Sequence, residues 1–200
     1  MPHPLVVVKI GGSLLDSGRL PSTLRAILEW RNLRLVLAPG GGVFADAVRV
    51  AQEHAGFDDA LAHRLALDAM GRMAEVFVAL QPSLITVHDP VGIAAVHSYG
   101  RVPVWDPLEL QAGYADIPES WSVTSDSLAL WLAGLLDAEH LVLVKSAEPP
   151  ARLDPEFLAE QGLVDEAFPA FARNFPGTIH LLGPSSDLSG FRIVQEFAAA

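Results

Sequence analysis

The 200-residue chain contains no cysteine. Disulfide scaffolds, thiolate metal sites and thiol nucleophiles are therefore excluded together. No apolar run approaches the roughly 18–20 residues of a membrane-spanning helix. The first residues, Met1-Pro-His-Pro-Leu-Val-Val-Val-Lys9, lack both the basic segment and the apolar length of a secretory signal. The expectation is a cytoplasmic protein with no membrane partner. Positive charge is also scarce: 13 Lys and Arg stand against 24 Asp and Glu, for a net charge of −11. A nucleic-acid partner needs a basic footprint, so none is expected, although a few local donors can still hold a small anion. The seven histidines show no HxH or HExxH spacing, so no protein-made metal site is expected. There is no Gly-x-Ser-x-Gly elbow, which argues against a serine hydrolase of the α/β type. Repeats, low-complexity segments, charge runs and domain boundaries are likewise missing, leaving a single domain over residues 1–200.

What is present is a strongly apolar chain, 50% hydrophobic, patterned as alternating strands and helices. Short β-branched runs predict strands over 5–10, 33–38, 83–87, 102–105, 141–144 and 178–182. Helical spacing predicts helices over 20–30, 43–54, 58–80, 90–99, 127–136, 155–161 and 166–174. The second of these would bury Val43, Phe44, Ala47, Val48 and Ala51, and the third Leu61, Leu65, Ala69, Met73, Val76 and Leu80. Residues 111–120 read as a surface loop and 191–197 as a strand or a helix. Such alternation implies an α/β fold, a three-layer sandwich around a mainly parallel sheet.

Two of the predicted strands empty into glycine turns. The first is Lys9-Ile-Gly-Gly-Ser13, and the second is Ala38-Pro-Gly-Gly-Gly42. In an open α/β sheet, ligands bind beyond the carboxyl ends of the strands. Glycines there let backbone N–H groups approach an anion, with help from the following helix N-terminus. Tight βα packing is the plainer reading of any one such turn. The spacing is not that of a P-loop, because Lys9 precedes the glycines. It also misses the dinucleotide fingerprint unless Ala45 replaces the last glycine of the second turn.

Lys9 closes a buried strand, where an ammonium needs an anion, either a carboxylate or a ligand phosphate. Lys145 repeats the situation after the 141–144 strand, unless it is simply a solvated strand end. Thr124-Ser-Asp-Ser127 opens an apolar helix. It serves equally as a helix cap or as the source of an Asp126 carboxylate that orients the lysines. His63 and Arg64 lie near the start of the 58–80 helix; His63 is a candidate substrate contact and Arg64 reads as solvent-facing.

Taken in order, Lys9-Ile-Gly-Gly-Ser13, Ala38-Pro-Gly-Gly-Gly42, and Thr124-Ser-Asp126 with the 141–144 strand behind it resemble the amino acid kinase superfamily. That family includes acetylglutamate, aspartate, uridylate, carbamate and isopentenyl phosphate kinases. The resemblance implies an open α/β/α sandwich with about eight strands, use of ATP with Mg2+, a small-molecule phosphoryl acceptor and a homodimer. It implies catalytic roles for Lys9 and Asp126, to which Lys145 is added as a candidate from its place at a strand end. Gly11, Gly12, Ser13, Lys145 and Ser146 would hold nucleotide phosphates. Gly40, Gly41, Gly42, His63, Thr124 and Ser125 would face the acceptor. Three further stretches are similar to the small (5-(aminomethyl)furan-3-yl)methyl phosphate kinase-like subfamily of methanofuran biosynthesis. These are Ala62-His-Arg-Leu-Ala-Leu-Asp-Ala-Met70, Val104-Trp-Asp-Pro107 and the run from Ile117 to Ser127.

The chain departs from the superfamily pattern in two places. Lys145-Ser-Ala-Glu-Pro-Pro150 replaces the Ser/Thr-Asp-Val-x-Gly loop, and a second lysine usual near 162–169 is missing. Two rivals follow. One is a non-catalytic binder of nucleotide or anion on a kinase fold. The other is a nicotinamide-dependent enzyme, which expects an acidic residue where Ala38-Pro39 stands.

Overall fold

The computed structural model describes residues 3–193. Six strands form one sheet: β1 (Leu5–Ile10), β2 (Arg34–Pro39), β3 (Leu84–Val87), β4 (Val102–Trp105), β5 (His140–Val144) and β6 (Thr178–Leu182). Their order is β3-β4-β2-β1-β5-β6, and every pairing is parallel. β1 lies at the centre with all six residues buried, as its unbroken apolar run requires. Alternate residues supply two separate cores. Val6, Val8 and Ile10 face one side, whereas Leu5 and Val7 face the other.

The helices are α1 (Ser13–Asp16), α2 (Leu20–Leu28), α3 (Gly42–Ala55), α4 (Asp59–Leu80), α5 (Pro90–Ser98), α6 (Ser125–Leu135), α7 (Pro155–Glu160) and α8 (Phe168–Ala172). Leu14, Leu20, Leu24, Ile27 and Phe77 put α1, α2 and the C-terminal half of α4 on the Val6 face. Ile93, Leu128, Leu132, Leu158 and Phe168 put α5, α6, α7 and α8 on the Val7 face. Connections moving along the sheet one way thus use one face, and those moving back use the other. A single crossover hand requires that arrangement. The direction of winding reverses between β1 and β5, the place at which open α/β sheets bind ligands.

The sandwich matches the sequence expectation, with four differences. The sheet has six strands among the described residues rather than about eight. Between β4 and α6 the chain forms a 3-10 turn (Pro107–Ala112) instead of pairing, because Pro107 lies in its first turn and Gly113 ends it at a positive φ of 83°. Of the 191–197 segment, residues 191–193 are irregular and 194–197 lie outside the described residues. No residue of α3 is buried, and Val43 and Phe44 are exposed. Its start comes close to α4 instead: a Cβ on Gly41 would sit 3.4 Å from that of Ala69. On α4 the buried stripe is rotated from the expected one. Ala62, Leu67, Met70, Ala74 and Phe77 join Ala69 and Met73 inside, whereas Leu61 and Leu80 are exposed. Among the described residues, no helix is long and apolar enough to cross a membrane.

Candidate active site

The two glycine turns meet at the carboxyl edge of the sheet. The Gly11 N–H donates to Val144 O at 3.0 Å, and the Gly40 N–H to Ile10 O at 2.9 Å, so each turn continues the hydrogen bonding of its neighbour strand. A methyl group on Gly12 would overlap the backbone nitrogen of Gly42, and one on Gly40 would lie 2.7 Å from the Gly12 nitrogen. Of the five turn glycines only Gly42 has positive φ, at 52°. Close approach of the two backbones, more than left-handed conformation, is why glycine is needed here. Gly12→Ala is expected to destabilise the fold by about 1–3 kcal/mol by wedging the turns apart. Urea denaturation followed by circular dichroism reads that loss.

Beneath the turns sits a charged triad. Lys9 leaves the end of β1, Lys145 follows β5, and Asp126 projects from the first turn of α6. Lys9 Nζ lies 2.8 Å from Asp126 Oδ1, and Lys145 Nζ lies 2.6 Å from Oδ2. Lys9 and Asp126 are buried, with exposures of 4% and 5%. Burial opposes ionisation of Asp126, but the two ammonium groups together outweigh it and hold the carboxyl below its ordinary range. Burial, reinforced by the charge on Lys9, lowers Lys145 to about 8 against the pull of Asp126. With all three ionised the triad carries one net positive charge in a nearly dry site, which an anion would neutralise.

Asp126 does not cap its own helix. Thr124 is the N-cap residue, and Asp165, from the turn before α8, supplies the acceptor. Asp165 Oδ2 accepts from the N–H groups of Thr124 and Ser127 at 3.0 Å each and from Thr124 Oγ1 at 2.8 Å. Its Oδ1 accepts from Ser127 Oγ. Burial raises the pKa of Asp165, although these hydrogen bonds oppose the shift. Capping from a distance frees Asp126 to face the lysines.

In front of the turns lies a cavity of about 220 Å³. Gly12, Ser13, Gly40, Gly41, Gly42, His63, Thr124 and Ser125 all line it, so the six expected acceptor-side residues come together. Lys9, Gly11, Asp126, Lys145 and Ser146 do not line this cavity. The last of them reaches Ser13, Oγ to Oγ, at 2.8 Å. His63 is buried, its Nδ1 lies 3.3 Å from Ser120 O, and burial lowers its pKa. Arg64, expected to face solvent, is partly exposed and pairs with Glu119 at 3.0 Å.

A curated protein of Methanocaldococcus jannaschii, [5-(aminomethyl)furan-3-yl]methyl phosphate kinase, is 29% identical over 181 residues, covering 84% of this chain and 83% of its own. Uridylate kinase from Archaeoglobus fulgidus superposes with a TM-score of 0.67 at 16% identity, over 88% of this chain and 89% of that one. The fold is that of the amino acid kinases, and the chain is similar to a curated kinase over most of its length. Aspartate kinase from Synechocystis shares the fold at a TM-score of 0.70 and 17% identity, over 95% of this chain, which spans 39% of that longer protein. No family model matches the chain.

Against the superfamily pattern, the loop after β5 is the main departure, and it is firmly held. Glu148 accepts from Ser185 N–H at 2.8 Å and from Ser185 Oγ at 2.7 Å, which ties it to the turn beyond β6. Where a second lysine is usual in the superfamily, Asp165 stands and does structural work. The second ammonium that meets Asp126 is that of Lys145. A simple signal marks both ammonium groups: Lys9 and Lys145 are the only lysines in the chain. Sequence reasoning missed Asp165, Arg49 and Trp121. Arg49 was legible in principle, since it shares an α3 stripe with Gly42 and Ala45 at helical spacing.

Proposed function

We propose that this protein is an ATP-dependent small-molecule kinase. Its acceptor would be a small phosphate-bearing molecule of the aminomethylfuran type, which places the enzyme in methanofuran biosynthesis. The observation that carries the reading is the Lys9–Asp126–Lys145 triad, buried beside two interlocked glycine turns at the carboxyl ends of β1 and β5. The name of the Methanocaldococcus relative supports the choice of acceptor.

An oxygen of the acceptor phosphate attacks the γ-phosphorus of ATP. The bond from that phosphorus to the bridging β–γ oxygen breaks, ADP departs with the electron pair, and a phosphoanhydride forms. Such a reaction asks the protein mainly for position and positive charge. Lys9 and Lys145 supply the charge, and Asp126 fixes their spacing. The Gly40–Gly42 turn and the start of α3 hold the acceptor side. Asp126 is engaged by both lysines, and no group of three His, Asp or Glu residues suited to a cation occurs among the described residues. Magnesium would therefore be held chiefly by the nucleotide phosphates, whose charge it would offset.

The depressed pKa of Lys145 gives a pH signature. Its ammonium form is lost as pH rises through about 8, so kcat/KM should fall above that value, because this ratio reports ionisations of the free enzyme. Lys145→Arg should move or remove the alkaline limb. The reading itself is tested by ADP release from ATP and magnesium across a panel of furanylmethyl phosphate, amino-acid and nucleotide acceptors. Acceptor-dependent release supports it, and nucleotide binding without release from any acceptor points to the non-catalytic binder.

A further inference from the structure

We propose that Arg49, packed over the ring of Trp121, is the specificity-determining group that recognises the anionic head of the acceptor and selects a phosphate monoester over the parent alcohol. This inference rests on the kinase reading only for its link to turnover; the binding it describes stands separately.

The guanidinium carbon of Arg49 lies 3.7 Å from the centroid of the Trp121 ring. Packing over the indole ring restrains the guanidinium by a cation–π contact and leaves its N–H donors available to a ligand. The platform is itself braced. Trp121 donates its indole N–H to Gln52 Oε1 at 2.6 Å, and the Gln52 amide donates to Asp59 Oδ1 at 2.8 Å and to Phe57 O at 3.2 Å. A chain of contacts thus joins α3, the start of α4 and the segment before α6 around one arginine. No carboxylate or carbonyl engages that arginine among the described residues, although it lines the cavity.

Charge makes the assignment specific. Asp16 and Asp46 also line the cavity, on a protein of net charge −11, so an incoming anion meets repulsion. Of the cationic candidates in that wall, His63 is buried and its pKa is pushed down, which leaves it neutral near pH 7. Arg49 is the permanent positive charge there. Lys9 and Lys145 lie beyond the glycine turns and are committed to Asp126. A planar fork of N–H donors suits the oxygens of a phosphate, whereas a hydroxyl offers only a single oxygen and no charge. One fork on an anion accounts for about a ten- to hundredfold effect on affinity.

Isothermal titration of the full chain without ATP tests this, using furanylmethyl phosphate and furanylmethanol as probes. Arg49→Ala should weaken phosphate binding about 10- to 100-fold and leave the alcohol unchanged. Arg49→Lys should recover part of the loss, because charge returns without the fork. Unaltered melting temperatures and an unaltered KM for ATP separate this from a folding defect. Equal phosphate affinity in the wild type and Arg49→Ala, equal losses for both probes, or no wild-type binding of the monoester overturns the proposal. Arg49-dependent binding in a wild type that never releases ADP sinks the kinase reading and leaves this one. Turnover indifferent to Arg49 does the reverse.

Discussion

Lys9→Met is expected to lower turnover about a thousandfold, the scale seen when one preorganised donor to transition-state charge is removed. The acceptor KM should move little, because the cavity wall does not include Lys9. Methionine keeps most of the volume and removes the ammonium. The triad then passes from one net positive charge to zero, which offsets the partner lost at Asp126 Oδ1, so the fold should change little in stability. A catalytic collapse at constant melting temperature is thus the signature, read by steady-state kinetics beside differential scanning calorimetry. A fall in melting temperature equal to that of a core mutant would contradict it.

Asp126→Asn is expected to have the opposite signature, loss of stability together with loss of activity. The amide cannot neutralise two ammonium groups, and its NH2 faces one of them in place of an oxygen. Breaking a buried charge pair by removing one partner costs about 3–5 kcal/mol. For a domain of this size that lowers Tm by about 6–20 °C. Two conditions should restore part of the loss. Raising pH above about 8 discharges Lys145, whose pKa is already depressed and should fall further in this variant. Adding inorganic phosphate or ATP supplies the missing anion and should raise Tm more in the variant than in the wild type. Failure of both treatments would mean that the Asp126 carboxylate is not the counter-charge of the lysines.

Most of the frame is legible from residue pattern, because parallel strands buried on both faces announce themselves as short β-branched runs. Lys9 and the glycine turns stand out for the same reason: an ammonium and bare backbone at the end of a buried strand need an explanation. What escapes is contact between residues distant in the chain. Asp165 caps α6 from about forty residues downstream, across a gap that no local capping rule spans. The Arg49–Trp121 contact joins two segments that only the fold brings together. Helix α3 shows a different limit. Its apolar residues mark one face, yet the close approach to α4 is at Gly41 and Ala69, which hydrophobicity scarcely registers. Rotation of the buried stripe on α4 has a similar origin, since both faces of that helix are apolar enough to be buried.

Phosphoryl groups are expected to move from ATP to an acceptor phosphate across the two glycine turns. Phosphorus NMR of the protein with ATP, magnesium and furanylmethyl phosphate reads that transfer at the atom concerned. Loss of the monoester singlet and growth of two coupled anhydride resonances are expected, in step with ADP and dependent on Lys9. A monoester signal that persists unchanged while ATP stays intact, with the nucleotide demonstrably bound, would contradict it.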